Sequence, residues 1–202
     1  MTERLDGKRV ALLATDGFEQ AELFTPRDAL RDAGAQVDLI SLKLGEIQGF
    51  DHLTPDKKAA VDLTLDQAEP DDYDALVLPG GANNPDRLRI EPKALEFVRA
   101  FFDAGKPVGA ICHAPWILIN AGVASGRKLT SYKTIRLDLK NAGANVVDEE
   151  VVVDGNLITS RQPSDLPAFC AKVIEAIADA RPQGNAPRRD NRTADQAGAA
   201  AP

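Results

Sequence analysis

The chain is 202 residues long with a net charge of −7, 44% hydrophobic and 5% aromatic residues, which bounds it to one domain with a sizeable core and a short appendage. An acidic, aromatic-poor chain lacks the basic stripe and stacking platform of nucleic-acid binders, and no apolar run approaches the roughly 18 residues of a membrane span. The charged start MTERLDGKRV argues against an export signal, and two cysteines with two histidines suit neither a disulfide scaffold nor a metal centre. No metal or cofactor is therefore expected, and a reducing, cytoplasmic setting is.

Taken in chain order, Arg9–Ala14 is a continuous apolar run of strand length, as a strand buried on both faces requires. Thr25-Pro26 reads as an N-cap followed by proline at the first helical position, with Gly34 ending that helix. Strand-like runs recur at 37–40, 75–78 and 107–111. Between the last two, Leu95, Val98, Phe101 and Phe102 form a helical stripe closed by Gly105. A third helix should follow Cys112 and end near Gly122. Val151–Ser160 holds Asp154-Gly155-Asn156 between two β-rich runs, the signature of an antiparallel hairpin. A fourth helix, with Leu166, Phe169, Val173, Ile174 and Ile177 inward, closes a domain over 1–180. Strands alternating with helices predict an α/β, flavodoxin-like three-layer sandwich with a mostly parallel sheet and a small antiparallel addition. Residues 181–202 contain no large apolar side chain, carry +2, and read as a disordered low-complexity tail.

In such sheets ligands bind beyond the carboxyl ends of strands. Three of those ends carry unusual residues: Thr15–Glu22, Pro79–Asp86 and Ile111–Trp116. Cys112 lies between a buried strand and a helix, with Ala110 and Ala114 two residues to either side, as a sharp nucleophile elbow requires. Cys170 sits among apolar helical residues and reads as core. His113 follows the thiol directly and can pair with it only if the elbow turns its ring back. His52 falls in the polar stretch Gly49–His52 and reads as a solvated surface residue. Glu19 and Glu22 at a helix start are either acidic capping residues or a source of a carboxyl for the sulfur, with Glu19 the candidate. The Gly81 and His113 amides are candidates for an oxyanion hole, and Gly80-Gly81 does not fit a dinucleotide loop.

The segments DGFEQAEL, ALVLPGG, GKPVGAICHAPWIL and VVVDGNLITSRQPSDLPAF together resemble the ThiJ/PfpI superfamily, over about residues 8–178, and most its PfpI-like, general-stress-protein branch. The resemblance implies Cys112 as nucleophile, Glu19 as the carboxyl bonded to it, His113 as the adjacent base, and Gly81 and His113 as oxyanion donors. It also implies a triad carboxylate from a neighbouring subunit of a homodimer or higher oligomer. The matching residue is Asp86, one methylene shorter than the Glu of the archaeal peptidases. Tyr132 matches a pocket-lining tyrosine, while Trp116 suits either the cleft or the core. The implied activities are cofactor-independent and cysteine-dependent. A stress-protective glyoxalase or deglycase acting on small carbonyls or on glycated proteins and peptides leads, and a PfpI-type cysteine peptidase or a redox sensor acting through Cys112 oxidation are the alternatives.

Overall fold

The computed structural model describes residues 4–180. The chain runs β1 (Arg9–Leu13), β2 (Phe18–Glu19), α1 (Gln20–Asp32) and β3 (Gln36–Ser41), then a hairpin of β4 (Gly45–Asp51) and β5 (Thr54–Val61). It continues through β6 (Leu63–Thr64), β7 (Ala75–Leu78), α2 (Asn83–Leu88), α3 (Pro92–Asp103), β8 (Val108–Ile111) and α4 (Pro115–Asn120). The last part comprises β9 (Lys128–Leu129), α5 (Arg136–Asn141), β10 (Asn145–Val146), β11 (Val151–Asp154), β12 (Leu157–Ser160) and α6 (Leu166–Asp179). The expectation of a disordered tail from Arg181 lies outside the described residues.

Seven strands form one sheet in the order β11-β12-β8-β7-β1-β3-β6. Every pair is parallel except β11 with β12, the hairpin predicted around Gly155. The continuous apolar character of β1 has a direct cause in side-chain alternation. Ala11 and Leu13 enter one core with Leu76, Leu78, Phe97, Val98 and Phe101, under α3 and α4. Val10 and Leu12 enter the other with Leu23, Leu30, Phe169, Val173 and Ile177, under α1 and α6. Each fully buried large side chain contributes roughly 1.5–3 kcal/mol of transfer free energy. Gly109 on β8 lets α6 come close, because a Cβ there would stand 3.0 Å from both Phe169 and Val173.

Two elements differ from the sequence expectation. Helix α1 begins at Gln20, and Thr25-Pro26 lies inside it rather than at its start. The fold tolerates the lost backbone donor of Pro26 because α1 is held against β3, β4 and α6. The stretch containing His52 is the turn of the β4–β5 hairpin, which joins β2 in a separate three-stranded sheet. Most of its residues are exposed, its register shifts between Gln48 and Phe50, and its turn lacks an Asn-Gly or Asp-Gly pair. Among the described residues no helix is long and apolar enough to cross a membrane.

Candidate active site

The adjacent strands β1, β7 and β8 end together, and the segments leaving them build the site. β8 delivers Cys112 at φ +64°, a left-handed conformation that costs a non-glycine residue on the order of 1 kcal/mol. The elbow is held from both sides: Cys112 N donates to Ser160 O (3.0 Å), and its carbonyl accepts from Tyr132 N (2.8 Å). Cys112 is 6% exposed. The same turn swings the His113 ring back, bringing Nδ1 to 3.2 Å from Sγ. Burial lowers the His113 pKa, favouring the neutral imidazole.

The carboxyl against the thiol belongs to Glu22, and the assignment of Glu19 to that position is corrected. Because α1 starts at Gln20, Glu22 sits in its first turn with its side chain fully buried, facing the loop after β7. Its Oε2 accepts from Gly80 N (2.9 Å), and a Cβ at Gly80 would meet both that oxygen and Cys112 Cβ, which sets the carboxyl beside the thiol. Burial pushes Glu22 up to about 8, ahead of the opposing influence of Cys112, the charge of Glu19, and the opposing Gly80 and Gly81 amides. Glu19 is instead the last residue of β2 and turns to the hairpin, where its Oε2 accepts from His52 N (3.0 Å). His52 Nδ1 lies 3.5 Å from the same oxygen, so this exposed residue is a neighbour of the site's rim.

Burial and the charge on Glu22 push the Cys112 thiol up, while the Gly81 and His113 amides, directed at the sulfur, oppose them. The two groups form one coupled acid. With Glu22 protonated, its O–H donates to a thiolate and the repulsion disappears; with Glu22 ionised, the thiol keeps its proton.

Glycine is required at two positions of the loop after β7. Gly81 is at φ +81°, and a Cβ there would stand 2.7 Å from Glu19 N; one at Gly80 would stand 2.7 Å from Cys112 Cβ. Asn84, unnoticed in the sequence, locks this loop. Its Oδ1 accepts from Thr15 N (2.8 Å), and its Nδ2 donates to Pro79 O (2.8 Å) and Gly80 O (3.1 Å). Tyr132 stacks on His113 at 4.9 Å with 29° between the rings. Trp116 meets that imidazole edge-on at 5.4 Å, donates to Asp138 (2.8 Å) and packs partly against the core, so it serves cleft and core together. Asp86 stands exposed on α2, and within the described chain His113 Nε2 is met by Thr134 Oγ1 (3.2 Å) rather than by Asp86. For a cation, the ligand atoms of Glu19, Asp51 and His52 lie within 4.8 Å of one another, two of these residues being exposed. Cys170 is buried on α6, where burial raises its thiol to about 11.

A thiol on a strained strand-to-helix elbow, backed by a buried carboxyl and flanked by an imidazole, sits at the carboxyl edge of a flavodoxin-like sheet, an arrangement with the chemistry for nucleophilic attack. The chain belongs to the DJ-1/PfpI family, whose profile matches residues 8–176. It is 46% identical over 172 residues to the protein/nucleic acid deglycase 2 of Escherichia coli, covering 84% of this chain and 98% of that one. General stress protein 18 of Bacillus subtilis is 44% identical over 168 residues, 81% of this chain and 94% of its own. Among solved structures, DJ-1beta of Drosophila melanogaster superposes with a TM-score of 0.79 at 34% identity, covering 86% of this chain and 91% of that one.

Proposed function

We propose that the protein is a stress-protective, cysteine-dependent enzyme that acts in the cytoplasm on reactive carbonyls such as methylglyoxal, or on their adducts with proteins. The observation that carries this is the buried Glu22 carboxyl beside the Cys112 thiol, both pushed up by burial so that both hold a proton at neutral pH, with a neutral imidazole 3.2 Å from the sulfur. Such a pair suits addition to a small electrophile, where the nucleophile must lose a proton and the product oxygen must gain one.

Cys112 Sγ gives its proton to His113 Nδ1 and adds to the aldehyde carbon of methylglyoxal, and the C=O electron pair moves onto oxygen. The Gly81 and His113 amides face that developing charge, and a proton from Glu22 gives the hemithioacetal. Transfer of the hydrogen on that carbon to the neighbouring ketone carbon, by way of an enediol, leaves a lactoyl thioester. Water hydrolyses it to lactate and restores the thiol, so methylglyoxal plus water balances lactate. With an amine adduct, breaking the C–N bond returns the amine and delivers the same carbonyl to the sulfur. The E. coli relative's name includes nucleic acid as well as protein; the acidic charge of this chain bears on affinity for a polyanion, not on the chemistry at an adduct.

The test uses an arginine-containing peptide treated with methylglyoxal and followed by mass. The wild type should return the unmodified peptide and Cys112→Ala should not. Equal recovery with Cys112→Ala would overturn the assignment.

A further inference from the structure

Both ring nitrogens of His113 are engaged within one chain: Nδ1 lies 3.2 Å from Cys112 Sγ and Nε2 lies 3.2 Å from Thr134 Oγ1. Tyr132 on the face and Trp116 at the edge fix the plane of the ring. A plane alone does not orient an imidazole, because a half-turn about the Cβ–Cγ bond keeps the plane and exchanges each nitrogen for a carbon. Nor does it choose which nitrogen carries the proton.

We propose that Thr134 is the positioning residue of His113: its hydroxyl accepts the Nε2–H and holds the ring in the tautomer whose Nδ1 lone pair faces the Cys112 sulfur. The hydroxyl is well placed for this, although Thr134 itself is exposed. It lies in the single turn Lys133–Ile135, anchored by the buried Ile135 side chain and by Ile135 N donating to Tyr132 O (3.2 Å). Tyr132 N in turn donates to the carbonyl of Cys112, so the turn that carries Thr134 is tied to the nucleophile's own backbone. A hydroxyl can donate or accept; with the Cys112 S–H directed at Nδ1 it accepts the Nε2–H, and being neutral it adds no negative charge that would favour the imidazolium, so the ring stays an acceptor at Nδ1. The carboxylate expected from Asp86 of a second copy would have to displace this hydroxyl from Nε2.

The importance of the tautomer rests on Cys112 being the nucleophile; the tautomer itself is measured independently of any substrate. The full chain has two histidines, so in protein labelled with 15N-histidine a His52→Gln variant leaves only the His113 signals. The wild type should show Nε2 protonated and Nδ1 bare. Thr134→Val, nearly isosteric, should shift the spectrum to mixed tautomers and slow alkylation of Cys112 by iodoacetamide at neutral pH about tenfold, with Thr134→Ser returning both to within about twofold of wild type. For methylglyoxal turnover, kcat should fall about tenfold in Thr134→Val with KM within about twofold. Identical spectra and alkylation rates in wild type and Thr134→Val would overturn the proposal, as would a loss that Thr134→Ser does not restore. If the wild type fails to consume methylglyoxal, the carbonyl chemistry is at fault, and the spectra and alkylation rates still decide the role of Thr134.

Discussion

Glu22 shows how burial becomes function at the scale of one residue. It is fully buried beside a thiol, and its pKa of about 8 against an ordinary 4.5 means that the folded protein binds a proton there that the unfolded chain has lost. Stability is therefore greatest below about pH 4.5 as far as Glu22 is concerned, falls as pH rises toward 8, and is level beyond. Urea unfolding between pH 5 and 8 should show a loss on the order of 3 kcal/mol in the wild type and a much flatter profile in Glu22→Gln. The glutamine amide can still accept from Gly80 N and still donate toward Sγ, so the variant isolates the proton from the packing. A wild-type profile as flat as that of the variant would contradict the shift. Cys112 and His113 were legible in the sequence, because small residues around a cysteine at a strand-to-helix junction describe an elbow. Glu22 was in view only as one of a pair, since the choice between it and Glu19 depends on where α1 begins. Thr134 and Asn84 gave no signal, because nothing in their neighbourhoods marks a hydroxyl that meets a ring nitrogen or an amide that locks a distant loop.

At the scale of elements, the site is a junction of three strand ends whose backbone is fixed by one buried amide. Asn84 supplies three hydrogen bonds from a fully buried position, joining the exit of β1 to the loop after β7. Asn84→Ala leaves Thr15 N and Pro79 O without these partners in the interior, while Gly80 O keeps the bond from Glu19 N (3.3 Å), at about 1–3 kcal/mol for each group left unsatisfied. The variant should unfold several degrees lower than wild type, and kcat should fall because the Gly81 amide loses its fixed direction. Full activity with an unchanged melting temperature would show that the loop is held by other contacts. The central strands were legible because a parallel sheet covered on both faces demands unbroken apolar runs. The start of α1 was not. Proline stands at the first or second position of α3, α4 and α6, and Thr25-Pro26 imitates that pattern from inside a helix. The β4–β5 hairpin was also hidden, since a mostly solvated ribbon need not alternate apolar and polar residues.

For the molecule as a whole, a sheet covered on both faces leaves its carboxyl edge as the place where thiol, carboxyl, imidazole, hydroxyl and amides converge. All of them come from one chain. If these groups suffice, the rate per chain holds constant as the protein is diluted through any dissociation followed by sedimentation. A rate that falls with dissociation would show that a partner's group, such as the Asp86 carboxylate, is needed to complete the site. The three-layer architecture was legible in the sequence, because alternating strand and helix signals leave few topologies once crossovers are right-handed. Assembly was not, because an exposed carboxylate on a short helix has the same sequence pattern with or without a partner.

The most direct test is to supply methylglyoxal to the wild type and to Cys112→Ala and to quantify lactate against methylglyoxal consumed. The wild type should form one lactate for each methylglyoxal lost, and Cys112→Ala should form none above the uncatalysed rate. Lactate formation by Cys112→Ala at the wild-type rate, or none by either protein, would contradict thiol-dependent carbonyl chemistry at this site.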